Sequence, residues 1–329
     1  MSSLAPTLQL FFAEYLIKQR QASPRTITSY RDTFRLFLGF AQQQTGKAPC
    51  TLEWEDLSAT LISAFLDHLE VNRHNSARSR NARLAALRSL LHYASLRHPE
   101  CAGLIQQMLA IPQKRFEQAD VSYLSPEEVA ALVEAPDADR WEGRRDRALI
   151  TLAVQTGLRL SELIGLNCND LELSVSPLIR CLGKGRKQRS IPLTTQTVAV
   201  LRVWLRERHG DHQDPLFPTR TGRRLTDDAV GRLVAIHAAV ATQHCPSLAK
   251  KKLTPHVLRH TNAMALLHAG VDVAVIALWL GHADIRSTHI YLHQDLTIKE
   301  RALARTTPVS SKPGRYRAPD SLLAFLEGL

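Results

Sequence analysis

The sequence has no apolar run long enough to cross a bilayer. Its longest, Val273 to Leu280, is eight residues, against about twenty for a spanning helix. No signal peptide is expected either, because Glu14 interrupts Leu8, Leu10, Phe11 and Phe12 and no basic stretch precedes them. Cysteine pairs are missing as well. Cys50, Cys101, Cys168, Cys181 and Cys245 are odd in number, scattered and never in a CxxC pair, which reads as reduced, mostly buried thiols of a cytoplasmic protein. There is no internal repeat, no Gly-x4-Gly-Lys-Ser/Thr phosphate loop, no HExxH pattern and no acidic cluster of the kind that holds Mg²⁺. The apolar fraction of 44% and charged fraction of 22% exclude a disordered chain, a collagen-like chain and a coiled-coil rod.

What the sequence has in excess is positive charge. Across 329 residues, 42 Lys and Arg face 31 Asp and Glu, leaving +11. Such a balance points to a polyanionic partner, a nucleic acid or an anionic membrane surface, and the missing apolar run favours the nucleic acid. The length is more than one core usually organises, so two domains are expected. The excess is shared: residues 1–115 carry 14 basic and 8 acidic side chains, residues 116–329 carry 28 and 23. Both halves are expected to face the polyanion.

Residues 1–98 read as helices alone. Leu8, Phe11, Phe12, Tyr15 and Leu16 keep helical spacing, and Ser23-Pro24 marks the start of a second helix that Gly46 closes. A third runs from about 58 to 71 and a fourth from about 76 to 96. The start of the fourth gathers Arg78, Arg80 and Arg83, with Arg88 beyond. One arginine on a helix is an ordinary solvated residue; four together in a chain of this charge suggest phosphate contacts. Residues 99–122, with Pro99, Gly103 and Pro112, read as a linker. A second domain opens at the capping box Ser125-Pro126-Glu127-Glu128 and extends to about 305. It is helical except for a hairpin, in which 178–182 and 190–193 flank the cation-rich turn from Gly183 to Arg189. A tail, 306–329, ends in a short amphipathic piece at 321–326.

Four patterns in the second half carry chemistry. Arg159 follows a glycine turn and opens a helix, with Glu162 one turn on to hold its guanidinium. Lys184 sits in the hairpin turn, with Arg186 and Lys187 beside it. A lysine there reaches a phosphate or donates a proton, although a charged turn is commonly just a soluble turn. In Thr254-Pro255-His256-Val257-Leu258-Arg259-His260, His256 and Arg259 share one face at the positive end of a helix, an anion site with a titratable group. His256 and His260, four apart, are also spaced to ligate zinc, but with no nearby cysteine pair a metal is not expected. Finally, His282 precedes Tyr291 by nine residues. A tyrosine is a poor nucleophile unless a positive pocket favours its phenolate. Together these groups fit phosphoryl transfer without a metal, in which arginines neutralise the pentacoordinate phosphorane and a side chain protonates the leaving oxygen.

In order and spacing these motifs resemble the tyrosine recombinases, the phage-integrase or Xer-type site-specific recombinases. The resemblance spans both domains and is strongest over TGLRLSEL (156–163), LGKGRKQRSIPL (182–193), HVLRHTNAMALLHAG (256–270) and LGHADIRSTHIYLH (280–293). It implies a mainly α fold with a small β-sheet: an N-terminal helical core-binding, SAM-like bundle over 1–98 and a mixed α/β catalytic domain over 123–305. It implies that Tyr291 attacks a DNA phosphate to form a 3′-phosphotyrosine, that Arg159 and Arg259 clamp the phosphate, and that Lys184 is the general acid. His256 would assist proton transfer from the tyrosine, His282 would hydrogen-bond the phosphate, and Glu162 would orient the cations. Double-stranded DNA would be the partner, contacted also by Arg78, Arg80, Arg83, Arg88, Arg186 and Lys187. No cofactor and no metal would be needed. The enzyme would act as a homo- or hetero-tetramer on paired sites in the bacterial cytoplasm, on the nucleoid, with the 321–326 helix docking on its own or a neighbouring protomer. Thr261-Asn262 and Arg286-Ser287 depart from the usual pattern, the first pair with an expected effect on packing behind His256. IALWLGH (276–282) and DLTIKERALART (295–306) look like integrases of bacterial mobile elements. A topoisomerase IB-like relaxase, a catalytically silent DNA-binding accessory protein and a metal-dependent nuclease are the competing readings.

Overall fold

The computed structural model describes residues 3–116, 121–183 and 188–282, together with residues 288, 291 and 325. The chain divides into two compact units, Met1–Ala119 and Asp120–Leu329.

The first unit is helical. Helix α1 (Leu4–Leu10) continues into a π-helical stretch, Phe11–Gln19. Helix α2 (Pro24–Thr45) starts on Ser23, whose hydroxyl accepts from the Thr26 N–H, and stops at Gly46, φ +72°. Helices α3 (Ala59–Val71) and α4 (Ala77–Ser95) begin in the same way on Ser58 and Ser76. Their apolar faces close one core around Phe11, Phe34, Phe37, Phe65, Leu84 and Leu87, all buried. The stretch expected to be a linker is in part folded: helix α5 (Ala102–Leu109) packs on α3 and α4, burying Ile105 and Met108. The apolar spacing of Cys101, Ile105 and Met108 on one helix face outweighs the local proline and glycine signals.

The second unit opens with α6 (Pro126–Glu134), where the Ser125 hydroxyl accepts from the Glu128 N–H and Glu128 returns the bond to the Ser125 N–H. Helix α7 (Trp141–Thr156) packs against α9 (Thr195–Arg208), α11 (Pro255–His268) and α6. Between α7 and α9 lie the short α8 (Leu160–Gly165) and a three-stranded antiparallel sheet in the order β1 (Leu171–Glu172), β2 (Leu178–Leu182), β3 (Gln188–Pro192). Leu178 pairs with Pro192 and Leu182 with Gln188. The sheet buries Ile179, Cys181 and Ile191 against the helices. Helix α10 (Asp227–Thr242) and helix α12 (Val273–Leu280) complete the unit. A smaller cluster of Ala263, Met264, Leu267, Ile276, Leu280 and Tyr291 joins α11 to α12. No described helix is long and apolar enough to cross a membrane.

Candidate active site

Two helix ends build the site. Helix α7 ends at Gly157, φ +63°, and α12 ends at Gly281, φ +64°. At the second end the His282 N–H bonds to the Ala277 carbonyl and the Gly281 N–H to the Leu278 carbonyl, a Schellman closure. A helix C-terminus leaves carbonyls without intrahelical donors and carries partial negative charge, so it is a natural seat for cations. Three arginines occupy it. The Trp279 carbonyl accepts from Arg189 Nε at 3.0 Å, the Leu280 carbonyl from Arg259 Nη2 at 2.7 Å, and the Gly281 carbonyl from Arg159 Nη2 at 2.6 Å. The other end contributes too, since Arg259 Nη1 donates to the Gly157 carbonyl at 2.6 Å.

One carboxylate serves this cluster. Glu162 accepts from Arg159 Nη1 at 2.9 Å through Oε1, and from Arg189 at 3.0 Å through Oε1 and 2.8 Å through Oε2. It also accepts from the Arg159 backbone N–H at 2.8 Å, which caps α8. Burial works to raise the Glu162 pKa, but the bonds from Arg189 and Arg159 outweigh it and hold the carboxyl below its ordinary range. Among the described residues no carboxylate lies within ion-pair distance of Arg259. Its burial, and after that the charge of Arg159, lower its pKa to about 10, which leaves it charged at neutral pH.

Tyr291 is 2% exposed. Its hydroxyl is 2.8 Å from His260 Nδ1. Burial raises the tyrosine pKa while Arg259 pulls it down. His260 is half-buried, and His256, one turn earlier and exposed, sets its ring edge-to-face against it with centroids 4.2 Å apart. His282 Nδ1 lies 2.7 Å from the Thr288 hydroxyl. Burial lowers both His260 and His282 to about 4, with Arg259 adding to each, so both rings are neutral at neutral pH. Three guanidiniums and one carboxylate leave the described site with two net positive charges, a setting made for an anion.

The structure therefore brings Arg159, Glu162, Arg259, His282 and Tyr291 together, with His256 at the edge of the group. Lys184, Arg186 and Lys187 lie outside the described residues, as do 306–324 of the tail. Two members of the site were not anticipated. In sequence Arg189 reads as one of the turn cations, yet it stands in β3 two residues before the buried Ile191, so strand alternation turns it inward. In sequence His260 reads only as a candidate metal ligand; its spacing of four from His256 puts it on the same helical face. The unusual Thr261-Asn262 pair fastens α11 elsewhere: the Thr261 hydroxyl accepts from the Leu124 N–H and Asn262 Nδ2 donates to the Gln155 carbonyl.

In the first unit the four clustered arginines separate. Arg78 is exposed, and Arg83 lines an open groove of about 400 Å³ with Arg25, Thr28 and Ser79. Arg80 is buried and ion-pairs with Glu70 at 3.4 Å, while Arg88 donates to the carbonyls of Leu109 and Ile111. These last two already have partners within the protein.

Residues 122–297 match the family model described as phage integrase family, and residues 10–98 match the phage integrase N-terminal SAM-like domain. The chain belongs to the phage integrase family. This family member is 51% identical over 328 residues to "Putative integrase/recombinase y4rC" of Sinorhizobium fredii, covering 100% of this chain and 99% of that one. A second protein of the same strain, "Putative integrase/recombinase y4rD", is 41% identical over 261 residues, covering 78% and 92%. Tyrosine recombinase XerC of Pelobacter propionicus is 32% identical over 286 residues, covering 87% and 90%. The fold also matches solved structures. XerH site-specific recombinase bound to a palindromic difH substrate superposes with a TM-score of 0.67 at 23% identity, covering 91% of this chain and 84% of that one. The Tn1549 transposon integrase in complex with a circular intermediate DNA superposes with a TM-score of 0.69 at 17% identity, covering 91% and 99%.

Proposed function

We propose that this protein is a site-specific DNA recombinase that cuts and rejoins DNA through a 3′-phosphotyrosine, with Tyr291 as the nucleophile. The observation that carries this is a buried tyrosine whose hydroxyl feels the charge of Arg259, in a site where Arg259 sits on the same helix end as Arg159 and Arg189, the two that share the Glu162 carboxylate. Arg159 and Arg259 neutralise the non-bridging oxygens of the scissile phosphate as charge accumulates in the transition state. Both are held by helix-end carbonyls, so their orientation is set before the substrate arrives. Neutral His282 hydrogen-bonds the phosphate. Lys184 protonates the leaving 5′-oxygen, and His256 stands beside the nucleophile's partner at the positive end of α11. The phosphotyrosine keeps the energy of the broken ester, so rejoining needs no ATP.

Both units contribute to DNA binding, with Arg78 and Arg83 as phosphate contacts in the first and Arg186 and Lys187 in the second. The working assembly is a tetramer on paired sites, in the bacterial cytoplasm on the nucleoid. Two sibling relatives in one strain support a role on a mobile element and assembly with a related recombinase. The core-binding-like first unit favours site-specific recombination over a topoisomerase IB-like relaxase. The deciding experiment incubates Tyr291→Phe with DNA carrying the protein's own site. Binding should persist and the covalent protein–DNA adduct should vanish; an adduct formed by this variant would refute the proposal.

A further inference from the structure

We propose that His260, through Nδ1, is the proton acceptor for the Tyr291 hydroxyl during strand cleavage, a part that the motif resemblance assigns to His256. The inference rests on Tyr291 being the nucleophile. Its basis is geometric: the hydroxyl lies 2.8 Å from His260 Nδ1, within the range of a working base. Helix α11 fixes this position. Thr254 and Pro255 set its start, so His256 falls in the first turn and His260 one turn deeper, facing Tyr291 in the cluster between α11 and α12. The His256 ring then packs on the His260 ring rather than replacing it.

The electrostatics fit the role. Tyr291 is buried, and burial favours its neutral phenol, so the hydroxyl needs an acceptor in order to attack. Burial, followed by repulsion from the neighbouring His256 and Arg259, keeps His260 unprotonated in the free protein at neutral pH, so it is ready to accept. A scissile phosphate entering beside Arg259 brings negative charge to the same place and raises the basicity of the imidazole. The base is thus weak until substrate arrives. In the cleavage step the Tyr291 O–H bond breaks and its proton passes to His260 Nδ1. The tyrosine oxygen forms a bond to phosphorus, the bond from phosphorus to the 5′-oxygen breaks, and that oxygen takes a proton from Lys184. Rejoining runs the same steps in reverse, and His260 returns its proton to the tyrosine.

The test uses the full chain and a nicked suicide substrate of its own site. His260→Gln and His260→Ala should bind this DNA as the wild type does and form the phosphotyrosine adduct at least about 100-fold more slowly, the lower end of what general-base catalysis contributes. Added imidazole should restore part of the rate in His260→Ala. A substrate with a 5′-bridging sulfur, which leaves without a general acid, should rescue Lys184→Ala but neither His260 variant. Rates within threefold of the wild type, or faster ones that would mark His260 as a lock on the tyrosine, overturn the inference. Should both variants fail to fold, ¹⁵N spectra of the unaltered protein decide. An unprotonated Nδ1 and a protonated Nε2 on His260 are expected, and a protonated Nδ1 refutes the assignment. If Tyr291→Phe still forms adduct, the nucleophile reading fails instead; if it is inert while the His260 variants are normal, only this inference falls.

Discussion

Trp279, Leu280 and Gly281 present three successive carbonyls, and Arg189, Arg259 and Arg159 each take one of them. The arrangement answers two needs together: the helix end requires donors, and the guanidiniums require fixed positions. It also explains why residue 157 is glycine. At φ +63° any other residue is strained, and a Cβ there would lie 2.6 Å from Asn262 Oδ1 and 2.8 Å from Leu280 Cδ2. Leu280 carries the carbonyl that holds Arg259, so the clash reaches the clamp. Gly157→Ala is expected to destabilise the protein by about 1–3 kcal/mol through backbone strain and to lower the adduct yield further than DNA affinity. Thermal unfolding and a cleavage assay on the same sample measure the two. At this scale Arg159, Arg259, His282 and Tyr291 were legible, because their spacing was itself the signal. Arg189 was not, since a cation beside a glycine-rich turn reads as solvated; only its register with Ile191 in β3 reveals that it points inward.

At the scale of elements, local chemistry set most boundaries. Ser23, Ser58, Ser76, Ser125, Thr194, Thr226 and Thr254 each accept a backbone N–H at the start of a helix, and several of these caps stand next to a proline. The Ser125 cap does more than start α6. Its partner Glu128 is buried and also accepts from the Ser247 hydroxyl and from Lys251 Nζ, each at 2.6 Å, which ties α6 to the segment after α10. Ser125→Ala should cost about 1 kcal/mol, read as a lower denaturant midpoint with an unchanged m-value. Glu128 keeps its other partners, so adduct formation should stay near the wild-type rate. Helix α5 shows where local signals mislead. Pro99 and Pro112 bracket it, Gly103 lies in its first turn, and together they suggest a loop, but the core formed by α3 and α4 offers a surface that Ile105 and Met108 cover. Strand β1 is two residues long and is defined only by its pairing with β2, so no periodicity in the sequence announces it.

For the whole molecule, two neutral histidines set the response to acid. His260 and His282 have pKa values of about 4 in the folded protein, against 6.5 when unfolded. Between those values the unfolded chain binds more protons than the folded one, so stability is complete above about pH 6.5 and declines as pH falls toward 4. The depressed Glu162 carboxyl continues the loss in the same direction at still lower pH. Urea unfolding at pH 7.5, 6 and 5 should show falling stability. In His282→Asn the fall should be shallower, and an equal slope would show that His282 does not titrate in this way. The sequence by itself determined the two-part layout, the positive charge carried by both halves, most helices and several of the residues that the structure gathers at the candidate site. These follow from composition, from periodicity and from caps that act within a few residues. Only the tertiary structure decided that Arg189 completes the cation cluster, that Arg80 and Arg88 serve the protein's own framework, and that His260 meets the tyrosine hydroxyl. Those outcomes depend on contacts between groups as much as 122 residues apart, such as Arg159 with Gly281, and no local pattern encodes which donor will reach which carbonyl once the helices pack.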